Sequence, residues 1–437
     1  MIGLLDCNNF YVSCERLFNP KLISKPVIVL SNNDGCVISR SDEAKGIGIA
    51  MGVPFFKIKD IITDHKVKVL SSNYSVYGDI SNRIMNILKD NLAEIEIYSI
   101  DEAFFSLKRI NNRERKCHYL ANKILKWVGI PVSIGIAKTK TLAKITNRVI
   151  KKKDKYKGLN LRYKNVLEVT LENDLKYILE NTYVKDIWGV GRSLSFFLNK
   201  NKINNALELK ECNDNFVRKK KGITLQRKVL ELRGIKCDYI KNIPSIKKSI
   251  CVSRSFGRKL YDYQSIKKAL IVYVQKAASK ARINNFFCKS ITVFLKTSEH
   301  EKKIYMDKKT CILLEPTIDL RLIWKISDKL LKEIYKNSFL YSKVGVILSD
   351  FYSKDRVQQS FINNDLSGVV GKRGNDIRLM RLIDRINTRF GYGKVKISSD
   401  QEINFHSNKN NLSWKMRSEY RAPCYTTSWC DIPKVKV

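Results

Sequence analysis

The chain has 437 residues and carries 82 lysine and arginine residues against 42 aspartate and glutamate residues, a formal net charge of +40 at pH 7. Its 44% hydrophobic and 10% aromatic content excludes general disorder, and its length suggests roughly three domains of about 150 residues each. A proteome rich in lysine would explain lysine in place of arginine, but not why acids are half as numerous as bases. The excess therefore predicts a polyanionic partner, nucleic acid before membrane.

Several other classes of protein are excluded by the sequence. No stretch reaches the roughly 18–20 apolar residues of a membrane span, and the first residues meet Asp6 without the basic region of a secretory signal. The 11 cysteines contain no Cys-x-x-Cys pair, and the 4 histidines lie far apart. A zinc site is therefore not expected, and a reducing cytoplasm is the natural compartment.

Short apolar strands alternate with helical patterns in the first part of the chain, which predicts an α/β or α+β domain of about 165 residues. The predicted helices cover residues 77–92 and 118–128. The predicted strands cover residues 2–6, 26–30, 95–100, 103–107 and 132–136.

The second part of the chain divides into three regions. Residues 166–235 have helical patterns around the glycine turn Gly189-Val190-Gly191, and a lysine- and proline-containing linker follows at 241–248. Strand and helix patterns return over 249–352, with strands at 249–256, 289–296 and 344–348 and a long helix at 266–283. Beyond residue 352 the sequence is polar, with one helical pattern at 376–390.

Acidic residues at strand ends are the most informative chemical feature. Asp6 closes the first strand, and Asp101 and Glu102 lie between two later strands. Three carboxylates repel one another unless cations neutralise them, and Mg²⁺ prefers oxygen ligands and phosphates. Because neighbours on a strand point to opposite faces, Asp101 and Glu102 can serve one site only near a bend or from different sides of an ion pair. A turn or capping role remains the alternative for each acid taken alone.

The combination of motifs resembles the Y-family (translesion) DNA polymerases, and within them the UmuC-type subfamily, the catalytic subunits of bacterial DNA polymerase V. Asp6-x-x-x-Phe10-Tyr11 and Tyr98-Ser-Ile-Asp-Glu-Ala-Phe104 carry the resemblance in the palm. It extends over nearly the whole chain, through residues 31–38, 71–74, 253–257 and 425–433.

This resemblance implies an α+β multidomain, right-hand polymerase with a tail of the UmuC type. Its parts would be a palm (1–18 and 73–165), small fingers (19–72), a thumb with a helix-hairpin-helix (166–240), a linker (241–248), a little finger (249–352) and the C-terminal region (353–437). Small fingers press weakly on the nascent base pair, so the family resemblance implies low fidelity on damaged templates.

The resemblance also implies roles for individual residues. Two Mg²⁺ ions would be held by Asp6, Asp101, Glu102 and the Cys7 carbonyl, and Tyr11 would be the steric gate against a ribose 2′-hydroxyl, a role compatible with ordinary aromatic packing. The implied nucleotide-binding residues are Asn8, Asn9, Phe10, Tyr11, Ser39, Lys45 and Lys138. Many family members have Tyr and Arg where this chain has Asp42 and Lys45, and lysine cannot grip phosphate bidentately as arginine does.

DNA and protein partners follow from the same resemblance. Gly189, Gly191 and Arg192 in the thumb, with Arg254 in the little finger, are expected to contact DNA. Gln358, Phe361 and Ile362 lie where the family often has a sliding-clamp peptide, although an ordinary linker explains them equally well. A UmuD′-type dimer and a RecA filament are the implied protein partners, the SOS response to DNA damage is the implied context, and a bacterial cytoplasm, with association to the nucleoid during action, is the implied location.

Two alternatives remain open on the residues alone. Three carboxylates would also serve another two-metal phosphoryl transferase, such as a nuclease or a nucleotidyl cyclase, but Tyr11 and the thumb and little-finger motifs argue against it. A catalytically weak DNA-binding scaffold subunit would keep the basic surface, but the intact acids Asp6, Asp101 and Glu102 argue against that alternative.

Overall fold

The structure is a computed structural model, and it describes residues 1–156, 158–159, 162–242, 246–299, 301, 303–353, 373–391, 394–396 and 416–432. The chain divides into two compact units. The first unit comprises Met1–Pro244 and Glu419–Val437, and the second comprises Ser245–Ser418. Among the described residues, no helix combines the length and apolar character needed to cross a membrane.

The first unit contains eight strands and ten α-helices among its described residues. The strands are β1 (Ile2–Cys7), β2 (Val27–Leu30), β3 (Val37–Arg40), β4 (Lys68–Ser71), β5 (Ile95–Ile97), β6 (Glu102–Ser106), β7 (Val132–Ala137) and β8 (Val166–Glu168). The helices are α1 (Phe10–Phe18), α2 (Asp42–Gly46), α3 (Lys59–Asp64), α4 (Tyr74–Asn91), α5 (Arg113–Val128), α6 (Lys140–Lys151), α7 (Glu172–Glu180), α8 (Arg192–Lys200), α9 (Ala206–Glu211) and α10 (Asp214–Leu232).

The central sheet of this unit has the order β5-β6-β1-β7-β8 and is antiparallel except for the β7–β8 pair. Alternation along β1 sends Leu5 and Cys7 into a core shared with α1, α4 and α5, whereas Ile2 and Leu4 pack with α6. Helices therefore cover both faces of the sheet, and even-numbered residues of β1 face α6.

The helical pattern predicted for residues 166–235 is wrong at its start, because Val166–Glu168 form the strand β8. This strand pairs in parallel with β7, with Ile134 opposite Val166, so it is the edge strand of the central sheet. The helices α7–α10 follow it, and α10 is interrupted at Gly222, whose φ is 78°.

A smaller sheet with the order β3-β2-β4 lies between α1 and α4 in the chain. Ile28 and Leu30 of its central strand enter a separate small core, while Val27 and Val29 pack into the core that includes α1 and α4. The two sheets of the first unit are thus joined through the alternate faces of β2.

The second unit is a four-stranded antiparallel sheet covered by helices on one face. Its order is β11-β10-β12-β9, and the connections β9-α11-β10-β11-α12-β12 are those of a split β-α-β arrangement. Buried residues of α11 and α12 pack with the sheet. The elements are β9 (Ser249–Leu260), α11 (Tyr263–Ile283), β10 (Phe287–Thr297), β11 (Met306–Thr317), α12 (Leu320–Ile334), β12 (Tyr341–Tyr352) and α13 (Arg373–Phe390).

The helix α13 confirms the helical pattern predicted at 376–390, and it packs on the core of the second unit. Met380 is 1% exposed, and the guanidinium of Arg282 binds Asp384 with nitrogen–oxygen distances of 2.6 and 2.9 Å. The charged pair therefore fixes α13 on the end of α11.

Candidate active site

Asp6 and Glu102 lie side by side on neighbouring strands. They are register partners in the antiparallel pair of β1 and β6, and cross-strand partners project from the same face of a sheet. Because Asp6 is an even-numbered residue of β1, that face is the one covered by α6. The strand register alone thus brings two acids to one end of the sheet.

Two lysines on α6 bind these two acids. Lys144 Nζ lies 3.0 and 2.9 Å from the two carboxylate oxygens of Glu102, and Lys151 Nζ binds Asp6 Oδ1. Lys144, Arg148 and Lys151 recur at helical spacing, so α6 presents one basic face to the acids. Arg148 pairs with Asp186 at 2.5 Å.

Burial raises the pKa of Asp6 to about 6 despite the opposing effect of the Lys151 ammonium. The negative charges of Glu102 and Asp101 raise the same pKa further. The carboxylate of Asp6 is thus held at a position where negative charge is costly without a cation.

Asp101 contacts the end of β1 through its backbone rather than through its side chain. Its backbone carbonyl accepts a hydrogen bond from the Cys7 N–H at 2.9 Å, and Ser99 Oγ donates to its carboxylate at 2.6 Å. Within the described ranges, no three acidic, histidine or cysteine side chains converge closely enough to hold a metal ion as they stand. The structure therefore joins Asp6 with Glu102 but does not gather Asp101 with them into one cluster.

The donor set nevertheless fits Mg²⁺ in its chemistry. Three carboxylates and the Cys7 carbonyl are hard oxygen donors, the kind that Mg²⁺ prefers. The thiol of Cys7 is buried, and its pKa is raised well above the usual value, first by burial and then by Asp6, so it stays a neutral thiol. Burial disfavours the charged form of Asp6, and the Lys151 ammonium beside it offsets part of that cost.

A pocket opens between these acids and the small sheet. Five basic side chains line it: Arg40, Lys45, Lys151, Lys153 and Lys164. It also contains six of the seven predicted nucleotide-binding residues, namely Asn8, Asn9, Phe10, Tyr11, Ser39 and Lys45, together with Asp6, Cys7 and Asp101. Glu102 lines an adjacent cavity, which shares Asp6 and Lys151 with the pocket.

The ring of Tyr11 forms the aromatic wall of the pocket. It stacks on Tyr77 with centroids 4.6 Å apart and meets the edge of Tyr74 at 5.9 Å. Burial, then the neighbouring Tyr74 and Asp101, raise the pKa of Tyr11 to about 12, so its hydroxyl is protonated at neutral pH. The stack fixes Tyr11 from the side away from the pocket opening.

Hydrogen bonds tie the turn before α1 to the small sheet and α2. Lys45 Nζ donates to Asn9 Oδ1 and to Asp42 Oδ1, both at 2.7 Å, and the Ser39 hydroxyl lies 3.4 Å from the Asn9 carbonyl. The Asn8 N–H donates to the Pro131 carbonyl at 2.9 Å, so this amide is not available to a ligand. Asn9 has a left-handed backbone with φ 46°, which turns the chain into α1.

Lys138 does not lie in this pocket. It follows Ala137, which pairs with Ile2 at the other end of β1 from Asp6; Asp6 pairs with Ser133, four residues before Ala137. The prediction for Lys138 therefore fails on strand direction, and Lys151 occupies the place next to Asp6. The repeat of basic residues at 144, 148 and 151 was the sequence signal for that face of α6.

The predicted DNA-binding residues occupy two regions. Gly189 has a φ of 92°, Gly191 precedes α8, and Arg192 is the exposed first residue of that helix. Arg254 pairs with the buried Val344, which places it on the face of its sheet covered by α11 rather than on the open face. The clamp-peptide residues Gln358, Phe361 and Ile362 lie outside the described residues.

Comparison with known proteins identifies the family. The impB/mucB/samB family model matches residues 5–148, the model of its C-terminal domain matches residues 247–361, and a domain of unknown function matches residues 377–435. The chain is 36% identical to the proteins ImpB and UmuC of Salmonella typhimurium, and both alignments cover all of each chain.

More distant similarities agree with this assignment. The DNA polymerase IV of Saccharolobus solfataricus is 29% identical over 48% of this chain and 58% of that protein. A Y-family DNA polymerase chimera of Dbh and Dpo4 superposes with a TM-score of 0.64 at 23% identity, covering 81% of this chain and all of the chimera. The chain belongs to the impB/mucB/samB family, the UmuC-type branch of the Y-family DNA polymerases.

Proposed function

We propose that this chain adds deoxynucleotides to a primer 3′ end opposite damaged template bases, with Asp6, Asp101, Glu102 and the Cys7 carbonyl holding two Mg²⁺ ions. The observation that carries the proposal is the pocket in which Asp6 and Asp101 meet the Tyr11 ring and five basic side chains. A nucleoside triphosphate requires each of these: a site for reaction at the α-phosphate, a surface for the sugar and cations for the phosphates.

When bound, Mg²⁺ neutralises the carboxylates and stabilises the charge that develops on the attacking and leaving oxygens. The chain itself supplies the positioning. Lys45 of α2 and Lys151 of α6 both line the pocket, and we assign them to different parts of a triphosphate. The N-terminus of α1 at Phe10 opens into the same pocket, and the dipole of a helix favours negative charge at its N-terminus.

Discrimination against ribonucleotides is assigned to Tyr11. A flat ring under the sugar leaves room for a hydrogen at C2′ but not for a hydroxyl, provided that the ring cannot retreat. Tyr77 blocks the retreat, since its ring lies 4.6 Å behind that of Tyr11 and is fully buried.

Contacts to primer-template DNA are assigned to the glycine turn at Gly189–Gly191 and to the basic surfaces of both units. Backbone contacts of this kind carry no base sequence information, which suits an enzyme that works at any sequence. The UmuD′-type dimer, the RecA filament, the sliding clamp, the SOS context and the cytoplasmic, nucleoid-associated location remain parts of the proposal that rest on family resemblance.

The direct test is primer extension opposite an abasic template site with Mg²⁺ and dNTPs, with and without the proposed partner proteins. The parent chain is expected to extend, and Asp101→Asn is expected to lose extension while still binding DNA. Asp64→Asn, the same change at an exposed position on α3, is the matched control and should extend normally. Loss of primer nucleotides without extension would instead indicate a nuclease.

A DNA-binding scaffold is the second candidate, and the lysine-bound carboxylates favour it. Lys144 and Lys151 already satisfy Glu102 and Asp6 in the described structure. On that alternative, DNA binding by the parent persists, no condition gives extension, and Asp101→Asn changes nothing.

A further inference from the structure

The segment at residues 419–432 packs beside the small sheet, although about 350 residues separate the two in the chain. The Ser71 N–H donates to the Tyr420 carbonyl and the Tyr420 N–H donates to Ser71 Oγ, both at 3.0 Å. Arg421 forms a parallel bridge with Ser71, so the segment extends the sheet at the end of its edge strand β4. The Glu419 N–H donates to Asp34 at 2.9 Å and continues this contact.

The same segment contacts the N-terminal end of α4. The side-chain amide of Asn73, the residue before α4, donates to the carbonyls of Ala422 and Pro423 at 3.2 and 3.0 Å. Asn73 is 1% exposed. A buried amide left without its acceptors is costly, so these two bonds hold the segment to one position.

A third contact lies at the end of α1. Tyr425 stacks on Phe18 with centroids 4.8 Å apart and an interplanar angle of 15°. Phe18 and Asn73 flank residues 19–72, the part of the chain that we propose as the fingers. The segment 419–432 therefore contacts both points at which the chain passes between palm and fingers.

Both contacted helices support Tyr11. The helix α1 carries Tyr11 and Phe18, and α4 carries Tyr77 in its first turns. Tyr77 stacks on Tyr11, and its hydroxyl donates to Glu15 of α1 at 2.6 Å. Displacement of the first turn of α4 relative to α1 would thus move the support beneath the nucleotide pocket.

The segment contributes little to the fully buried core. No residue between 419 and 432 is fully buried, and Trp429 is 90% exposed. Its contacts are hydrogen bonds, the stack of Tyr425 on Phe18, an edge-to-face contact of Tyr420 with Phe55 and partial packing of Cys424 on the core. Removing the Tyr425 stack alone should therefore perturb the position of the segment more than the overall stability.

We propose that residues 419–432 are a positioning element of the nucleotide site, which fixes the start of α4 against the end of α1 and thereby holds Tyr77 beneath Tyr11. This assigns a role to the last part of the region matched by a domain of unknown function. The expected change in sugar preference rests on the proposed function, in which Tyr11 is the steric gate. The expected change in nucleotide affinity does not depend on that role of Tyr11.

The test measures nucleotide binding without chemistry. A dideoxy-terminated primer annealed to a template with 2-aminopurine reports the dissociation constants of a dNTP and of the matching rNTP for each full-length variant. Loss of a ring stack and its alignment should weaken dNTP binding about three- to tenfold in Tyr425→Ala and reduce the preference for dNTP over rNTP. Asn73→Ala should act in the same direction.

Two variants provide matched controls. Tyr425→Phe keeps the ring stack and should restore parental binding, and Trp429→Ala changes an exposed ring in the same segment and should have no effect. Parental dNTP affinity and sugar preference in folded Tyr425→Ala and Asn73→Ala would overturn the proposal. So would a lower unfolding temperature with parental binding by the folded fraction, because that result indicates structural support alone.

A disulfide tests whether the packed position is the working one. Ser75 Oγ of α4 lies 3.6 Å from Cys424 Sγ, so Ser75→Cys should form a disulfide with Cys424 on mild oxidation. The oxidised chain is expected to keep parental dNTP affinity, and Ser75→Cys combined with Cys424→Ser is the control that cannot crosslink. Failure to crosslink, or loss of dNTP binding on crosslinking, would overturn the proposal.

The two proposals fail in different ways. If the parent chain does not bind dNTPs on primer-template DNA, the proposed function is wrong. If the parent binds but Tyr11→Ala leaves the sugar preference unchanged, only the gate role of Tyr11 is lost. If Tyr11→Ala changes the preference and Tyr425→Ala changes neither constant, only the positioning role of residues 419–432 is lost.

Discussion

Gly135 provides a test of how packing positions the charged side of the pocket. It lies in β7 directly beneath α6, and a Cβ at this position would lie 2.4 Å from the Asn147 backbone nitrogen and 2.6 Å from the Ala143 carbonyl oxygen. Both atoms belong to the backbone of α6, so a flexible side chain cannot relieve the clash. The φ of Gly135 is not in the left-handed region, and the cost of Gly135→Ala is therefore steric.

The distances give the size of the effect. Carbon contacts begin at about 3.5 Å, so α6 must move outward by about 1 Å. Overpacking of this kind costs roughly 1–3 kcal/mol, and weakening of the Asn147 side-chain bonds to the Leu4 and Ser133 carbonyls adds about 1 kcal/mol. We therefore expect Gly135→Ala to lower the free energy of unfolding by about 3 kcal/mol, which lowers the Tm by roughly 6–12 °C.

The same movement should affect the active site, because α6 carries Lys144 and Lys151. A misplacement of about 1 Å at a catalytic group can reduce activity by up to about a hundredfold. We expect primer extension by Gly135→Ala, measured well below its Tm, to fall at least tenfold in kcat/KM.

Gly78→Ala is the matched control for Gly135→Ala. Gly78 lies within α4 and a Cβ there would meet no atom within 4 Å, so alanine should stabilise the helix by about 0.5–1 kcal/mol. Thermal unfolding of the two variants and the parent is the measurement. A Tm for Gly135→Ala within 2 °C of the parent would show that α6 does not pack closely enough on Gly135 to exclude a methyl group.

Three further predictions follow from charged groups. Lys151→Met should raise the dNTP concentration for half-maximal extension about tenfold while DNA affinity, measured by anisotropy, stays parental, and Lys151→Arg should restore part of the loss. Burial raises the pKa of Glu15 in the folded chain, so the folded state loses stability at any pH at which Glu15 is ionised in the unfolded chain. Glu15→Gln should therefore resist urea better than the parent at pH 7.5. The difference should vanish as the pH falls below about 4, where Glu15 is protonated in both states. Arg282→Met should cost about 1.5–3 kcal/mol at the Asp384 contact, seen as faster hydrogen exchange in α13, whereas exchange in β10 should stay unchanged.

The pairing of Asp6 with Glu102 was accessible from the sequence because both acids end or begin an apolar strand. Side chains alternate between the two faces of a strand, so the register determines the face on which each one lies. The register in turn follows from the burial of the neighbouring apolar residues. The sequence left open whether Asp101 and Glu102 meet near a bend or approach an ion pair from different sides; in the structure Asp101 lines the pocket and Glu102 lines the adjacent cavity. It did not indicate that lysines would bind Asp6 and Glu102.

Elements with little buried surface were harder to predict. The edge strand β11 begins with Met306 and a polar, largely exposed run, so it lacks the apolar alternation that marks β10 and β12. The choice between Lys138 and Lys151 depended on strand direction and on which face of α6 contacts the sheet, which are tertiary properties. The contact between Asn73 and Ala422 spans 349 residues and has no local signal.

The nucleotide pocket is thus supported from two directions that share no element. Gly135 and Asn147 fix the distance between α6 and the sheet, and thereby the position of Lys151. Residues 419–432 fix the position of the first turn of α4, and thereby the stack of Tyr77 on Tyr11. If these supports are independent, Gly135→Ala should weaken triphosphate binding without changing the preference for dNTP over rNTP, and Tyr425→Ala should change that preference. The double variant should then show additive free energies of dNTP binding within about 0.5 kcal/mol. A larger coupling energy would mean that α6 and the Tyr11–Tyr77 stack move together, so that recognition of the triphosphate and of the sugar are not independent.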